Sequence, residues 1–163
     1  MTPEDLVDVE EIKRLKYRYV RFLDLKEWDE LADCFAEGAT AAYGGGEHAY
    51  QGRDAILEFL RSNLSDTGTL TSHKVHQPEI DLIGPDRARG VWGLEDVVIS
   101  TESGLTIRGS AFYTDEYLKL DGSWRISSTG YKRVYEEMEP RTSDVRLTAS
   151  WWGTGGRSQI HTR

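Results

Sequence analysis

Few residues in this 163-residue chain could move a proton. Among the four histidines, His73 and His76 stand in an H-x-x-H spacing. On a helix that spacing aims two ligands at one metal, but in a strand an offset of three puts the side chains on opposite faces. The flanking pattern is that of a strand, so the pair does not read as a zinc site. One histidine can face a cavity while the other faces solvent, an interface or a structural bond, and the period does not say which.

Asp96 is the stronger signal. It lies in Trp92-Gly93-Leu94-Glu95-Asp96-Val97-Val98-Ile99, a strand apolar on both faces, and shares its face with Trp92, Leu94 and Val98. Either Asp96 or Glu95 must project into an apolar setting, where desolvation suits a carboxyl to acid–base work. Pairing with an arginine of the next strands, Arg108 or Arg133, is an equally good account. Asp24 ends a core-facing helical face, directly after Phe22 and Leu23. A carboxylate there opposes the helix dipole and is costly to bury without a partner. Its residue type alone suits an exposed turn better than a pocket. Tyr19 lies five residues earlier, on nearly the same side of the helix. Tyr43, Tyr113, Tyr117 and Tyr131 are further phenols able to donate to a carbonyl or enolate, or simply to fill a core.

The elements that must position these groups follow from periodicity. Thr2 and Pro3 form an N-cap and a first-turn proline, with Glu4 and Asp5 suited to the helix dipole. Leu6, Val9, Ile12, Leu15, Tyr19, Phe22 and Leu23 then recur at three- and four-residue spacing, a long amphipathic helix ending near Asp24. A short helix is expected over Trp28 to Phe35, a strand over Ala39 to Tyr43, a flexible turn at Gly44-Gly45-Gly46 and a helix over Arg53 to Leu64. From Thr69 the period becomes two. His73 to Ile83, Arg87 to Thr101, Leu105 to Leu120 and Ser123 to Glu136 read as long strands joined by short turns. Helices followed by antiparallel strands give an α+β fold, with a curved sheet wrapped around the first helix and a cavity between them. Residues 1–139 form the domain. Residues 140–163, with Trp151 and Trp152, form a tail that is a loose terminus, a pocket flap or an interface segment.

The totals exclude several classes. Twenty Lys and Arg against 28 Asp and Glu give a net charge of −8, without the clustered cations that nucleic acid requires. No apolar run approaches the roughly 20 residues of a membrane span, and the acidic start is unlike a signal peptide. The single cysteine, Cys34, has no partner for a disulfide and no evident role. These features fit a soluble, cytoplasmic protein. No Walker-type loop or dinucleotide fingerprint is present.

Taken together, Ile12-Lys13-Arg14-Leu15-Lys16 with Tyr19 through Leu31, Ser72-His73, Trp92 with Leu94-Glu95-Asp96, Phe112-Tyr113-Thr114-Asp115 and Gly130 through Glu137 resemble the SnoaL-like branch of the nuclear transport factor 2-like superfamily. The likeness spans about residues 8–137 and is strongest to the bile acid 7α-dehydratases. It implies a cone-shaped, cystatin-like α+β fold and a catalytic set of Tyr19, Asp24, His73 and Asp96. Arg133 and Tyr43 also fall on pocket positions, and Trp92 and Tyr113 join them as expected substrate contacts. Scytalone dehydratase and hexachlorocyclohexane dehydrochlorinase, of the same branch, use an Asp–His pair that looks like Asp24 and His73. The implied activity is a cofactor-independent, metal-free lyase, dehydratase-like, acting on a steroid-like or polycyclic molecule. An isomerase or polyketide-cyclase-type enzyme and a non-catalytic hydrophobic-ligand carrier are the alternatives. A trimer or dimer is also implied, and apolar Val91, Val97 and Ile99 would suit its interface.

Overall fold

The computed structural model describes residues 1–160. Helix α1 runs from Pro3 to Leu25. Its start is a capping box in which the Thr2 hydroxyl accepts from the Asp5 amide and the Asp5 carboxylate accepts from the Thr2 amide. Its end is Lys26, left-handed at φ 58°. The short α2 covers Trp28–Ala32 and β1 covers Phe35–Tyr43, so Phe35 opens a strand where the sequence pattern suggests the end of a helix. The glycine turn is a 3-10 turn with all three residues at positive φ, a conformation that favours glycine. It leads into a short strand that period alone does not reveal, β2 (His48–Gln51), and then into α3 (Arg53–Leu64).

The four long strands are β3 (Thr69–Leu82), β4 (Arg87–Ser100), β5 (Leu105–Leu120) and β6 (Ser123–Pro140). They belong to one six-stranded sheet in the order β2-β1-β6-β5-β4-β3. Only the β1–β6 pairing is parallel. Register shifts between His76 and Glu79, between Ser110 and Ala111 and between Glu116 and Tyr117 interrupt the ladders. Such bulges bend strands and increase local twist, which lets one sheet curve around a helix.

The hollow of that curve is filled. Ile12, Leu15, Tyr19 and Leu23 of α1 meet Phe35, Ile56, Trp92, Leu94, Tyr113 and Ile126 in one core. Side chains thus occupy much of the space between helix and sheet where a cavity is expected. Cys34 also lies inside, and burial pushes its thiol up to about 11. Native protein should therefore resist a disulfide-exchange reagent at pH 8, reacting roughly a hundredfold more slowly than in urea. Equal rates would show that the edge of the core around Cys34 is open.

Candidate active site

Asp24 lies on the last turn of α1, where the dipole is unfavourable, and its partners come from β3. One oxygen, Oδ1, accepts from the Thr71 hydroxyl at 2.8 Å and stands 2.6 Å from His73 Nδ1. The other, Oδ2, accepts from the His73 backbone amide at 2.9 Å. A carboxylate can only accept, so the contact calls for a proton on Nδ1, and in the neutral ring Nε2 then carries the lone pair. Nε2 has no partner among the described residues. The two side chains are 16% and 10% exposed, enough to be reached but not bathed in water.

Both line a cleft of about 400 Å³ between the rim of α1 and the edge strand β3. Val20, Leu25 and Val75 make it largely apolar, with Tyr17 and Arg21 along the helix side. The volume lies within the range of small-molecule sites. His76 is half exposed and 3.7 Å from Glu95, and it lines the same cleft as His73, so the strand offset does not keep it away from the site.

Asp96 sits opposite His73 in the β3–β4 register, on the same face. It is held from the far side, where Arg133 donates Nη1 and Nη2 to its two oxygens at 2.5 and 3.0 Å. The Arg133 Nε lies 2.9 Å from Glu136, and the guanidinium stacks over Tyr131 at 4.9 Å. Burial works against the Arg133 charge, but the bond and charge of Asp96 more than offset it and hold its pKa above the ordinary arginine value. Of the two readings of Asp96, the arginine-paired one describes its position.

Tyr19 is wholly buried, edge-on to Phe35 and Tyr113. Burial lifts the phenols of Tyr19, Tyr43 and Tyr113 well above their usual range, so they stand as neutral donors. The Tyr19 hydroxyl faces those of Tyr43 and Tyr113 within the core, without a well-aligned hydrogen bond from Tyr19 or Tyr43. Trp92 lies in the core, its indole donating to the Tyr117 hydroxyl at 2.9 Å. Neither it nor Tyr43, Tyr113 or Arg133 lines the cleft that reaches the dyad.

Two features are not singled out by sequence reasoning. Thr71, the second donor to Asp24, carries no signal beyond its place two residues before His73. The Lys16–Asp115 ion pair is wholly buried, with 2.7 Å between Nζ and Oδ2. It does carry one: Lys16 interrupts the apolar row Ile12, Leu15, Tyr19, and Asp115 alternates with Tyr113 and Tyr117 on a buried face.

A model of the SnoaL-like domain matches residues 4–130, more than half of the chain. The chain belongs to the SnoaL-like family. Solved structures share its fold at low identity. A scytalone dehydratase candidate from Novosphingobium aromaticivorans DSM 12444 is 23% identical, with 97% of this chain and 99% of that one covered at a TM-score of 0.78. A hexachlorocyclohexane dehydrochlorinase, LinA type 2, is 20% identical over 88% of this chain and 94% of its own, at 0.76. A Nostoc punctiforme PCC 73102 protein with a cystatin-like fold is 21% identical over 78% and 91%, at 0.64. Within this SnoaL-like scaffold, among the described residues, no group of three or more His, Cys, Asp or Glu could hold a metal ion. None of the described helices is long and apolar enough to cross a membrane.

Gly109 keeps the lane through which Arg133 reaches Asp96. A Cβ there would lie 2.7 Å from Arg133 Nη1 and 2.8 Å from the Tyr135 carbonyl. Gly109→Ala should displace the guanidinium and destabilise the fold by about 1–3 kcal/mol, read from the urea midpoint. An unchanged midpoint would mean that this crowding is absent.

Proposed function

We propose that the chain is a lyase acting by dehydratase-like elimination on a hydrophobic, steroid-like or polycyclic small molecule. The observation that carries this reading is the 2.6 Å contact between His73 Nδ1 and Asp24 at the wall of an apolar cleft. It leaves Nε2 as a base and sets a carboxylate behind the imidazolium that would form. His73 Nε2 takes a proton from a carbon next to the substrate's carbonyl. The electron pair passes through the enolate to form a C=C bond as the β-hydroxyl departs. The imidazolium returns its proton to that hydroxyl, releasing water and restoring neutral His73.

Tyr19 and Tyr43, which the resemblance implies as donors to the enolate oxygen, are buried in the core and do not line the cleft, so the dyad alone carries the step as proposed. Asp96 lies opposite His73 in the strand register but is held by Arg133 and does not line the cleft, so it has no part in the step. The carbonyl itself makes the proton acidic, and the step as written uses only the groups named. The tail reaches the same end of α1, with Trp152 4.7 Å from the Lys26 ammonium, and is proposed as a flap beside the cleft. Exposed Val91, Phe112, Val134 and Met138 suit an interface with a second copy.

The test is turnover of a panel of polycyclic β-hydroxy ketones, followed by mass spectrometry. The expected product lacks the mass of one water, and His73→Ala should fall in rate by roughly 10²–10⁴-fold while staying folded. A product of unchanged mass would replace elimination by isomerisation. Full turnover by His73→Ala would remove His73 as the base.

A further inference from the structure

We propose that Arg21 is a specificity-determining residue, which binds a carboxylate of the substrate while His73 works on a carbon elsewhere in the same molecule. The proposal rests on the reading of the cleft as the substrate site. It adds the chemical class of that substrate, a polycyclic acid rather than a neutral polycycle. Arg21 shares a wall with the dyad, because Tyr17, Val20, Arg21 and Asp24 fall at helical spacing on one stripe of α1 and all line the cleft. It is exposed there, with its guanidinium 4.9 Å from the centre of the Phe22 ring.

A helical offset of three brings Arg21 within reach of the Asp24 carboxylate. The two do not pair, since the Asp24 oxygens are taken by Thr71 and His73 of β3. Arg21 completes no ion pair with any other described residue either. The remaining cationic groups of the lining are matched from the sheet. Lys74 stands opposite Glu95 in the β3–β4 register, and His76 lies 3.7 Å from the same carboxylate. Arg21 is thus the cation of this cleft to which the described residues give no carboxylate, in a chain whose net charge is −8. A planar guanidinium offers a fork of donors that matches a carboxylate in two parallel bonds. Apolar walls strengthen that attraction by lowering the local dielectric. With Val20, Leu25 and Val75 taking the ring system, the acid lies with its carboxylate toward Arg21, about one helical turn from the reacting carbon at His73.

The experiment titrates ¹⁵N-labelled full-length protein with naphthaleneacetate and, separately, with its neutral amide. Affinity is read from the His73 imidazole resonances, assigned with His73→Ala, so that binding in the cleft is what is measured. The acid should bind about fivefold to tenfold more tightly than the amide at low salt. Arg21→Gln should bring the two affinities together through loss of the acid's alone, and Arg21→Lys should keep part of the difference. Arg18→Gln removes the same charge one turn earlier, beside a different hollow lined by Trp124 and Arg125, and should keep the preference. Equal affinities in the parent, or no shift of His73 by the acid, would overturn the proposal. So would a preference that survives Arg21→Gln, or one that Arg18→Gln abolishes equally. The readout needs no turnover. Loss of the acid preference leaves elimination by the dyad open, and absence of water loss from every substrate tried leaves the preference standing.

Discussion

A carboxylate at the C-terminal end of a helix is repelled by the helix that carries it, and it needs donors from elsewhere. Asp24 is in that position, and β3 supplies three: the Thr71 hydroxyl, the His73 amide and the His73 imidazole. Because two of these come from His73, satisfying Asp24 also fixes the ring's place and its tautomer. One electrostatic need thereby docks the end of α1 onto the sheet edge and leaves the far ring nitrogen without a partner among the described residues. Lys26, the next residue but one, secures the same junction by donating to the Leu64 and Thr69 carbonyls.

The sheet extends the arrangement sideways. His73 pairs with Asp96, Asp96 with Gly109, and Arg133 crosses the space that Gly109 leaves open. The row runs from Asp24 through His73 and Asp96 to Arg133. Both oxygens of Asp96 are thereby taken up by an arginine. Deeper along α1, Lys16 and Asp115 tie helix to sheet a second time, both wholly buried. Breaking such a pair on one side is costly, on the order of 3–5 kcal/mol, which fixes how far the helix sits within the curve.

Much of the fold was legible because period and turn chemistry agree with it. The bounds of α1, α3 and β5 follow from apolar spacing. The β2 strand was not legible, since its four residues are too few to show a period. Nor was the start of β1 at Phe35, which tertiary pairing with Ile126 decides. Asp24 looked like a turn residue by type, and only the resemblance singled it out. Its donors lie 47 and 49 residues away, a separation that local pattern does not carry. Lys16 and Asp115 broke the apolar pattern locally, each at a buried position, but their partnership exists only across the packed core.

The account stands on the tautomer of His73, which long-range ¹⁵N NMR of the imidazole at neutral pH reads directly. The expected spectrum has Nδ1 protonated and Nε2 bare, and Asp24→Ala should abolish that preference. A proton found on Nε2 with Nδ1 bare, or a tautomer indifferent to Asp24, would contradict the dyad and the elimination chemistry built on it.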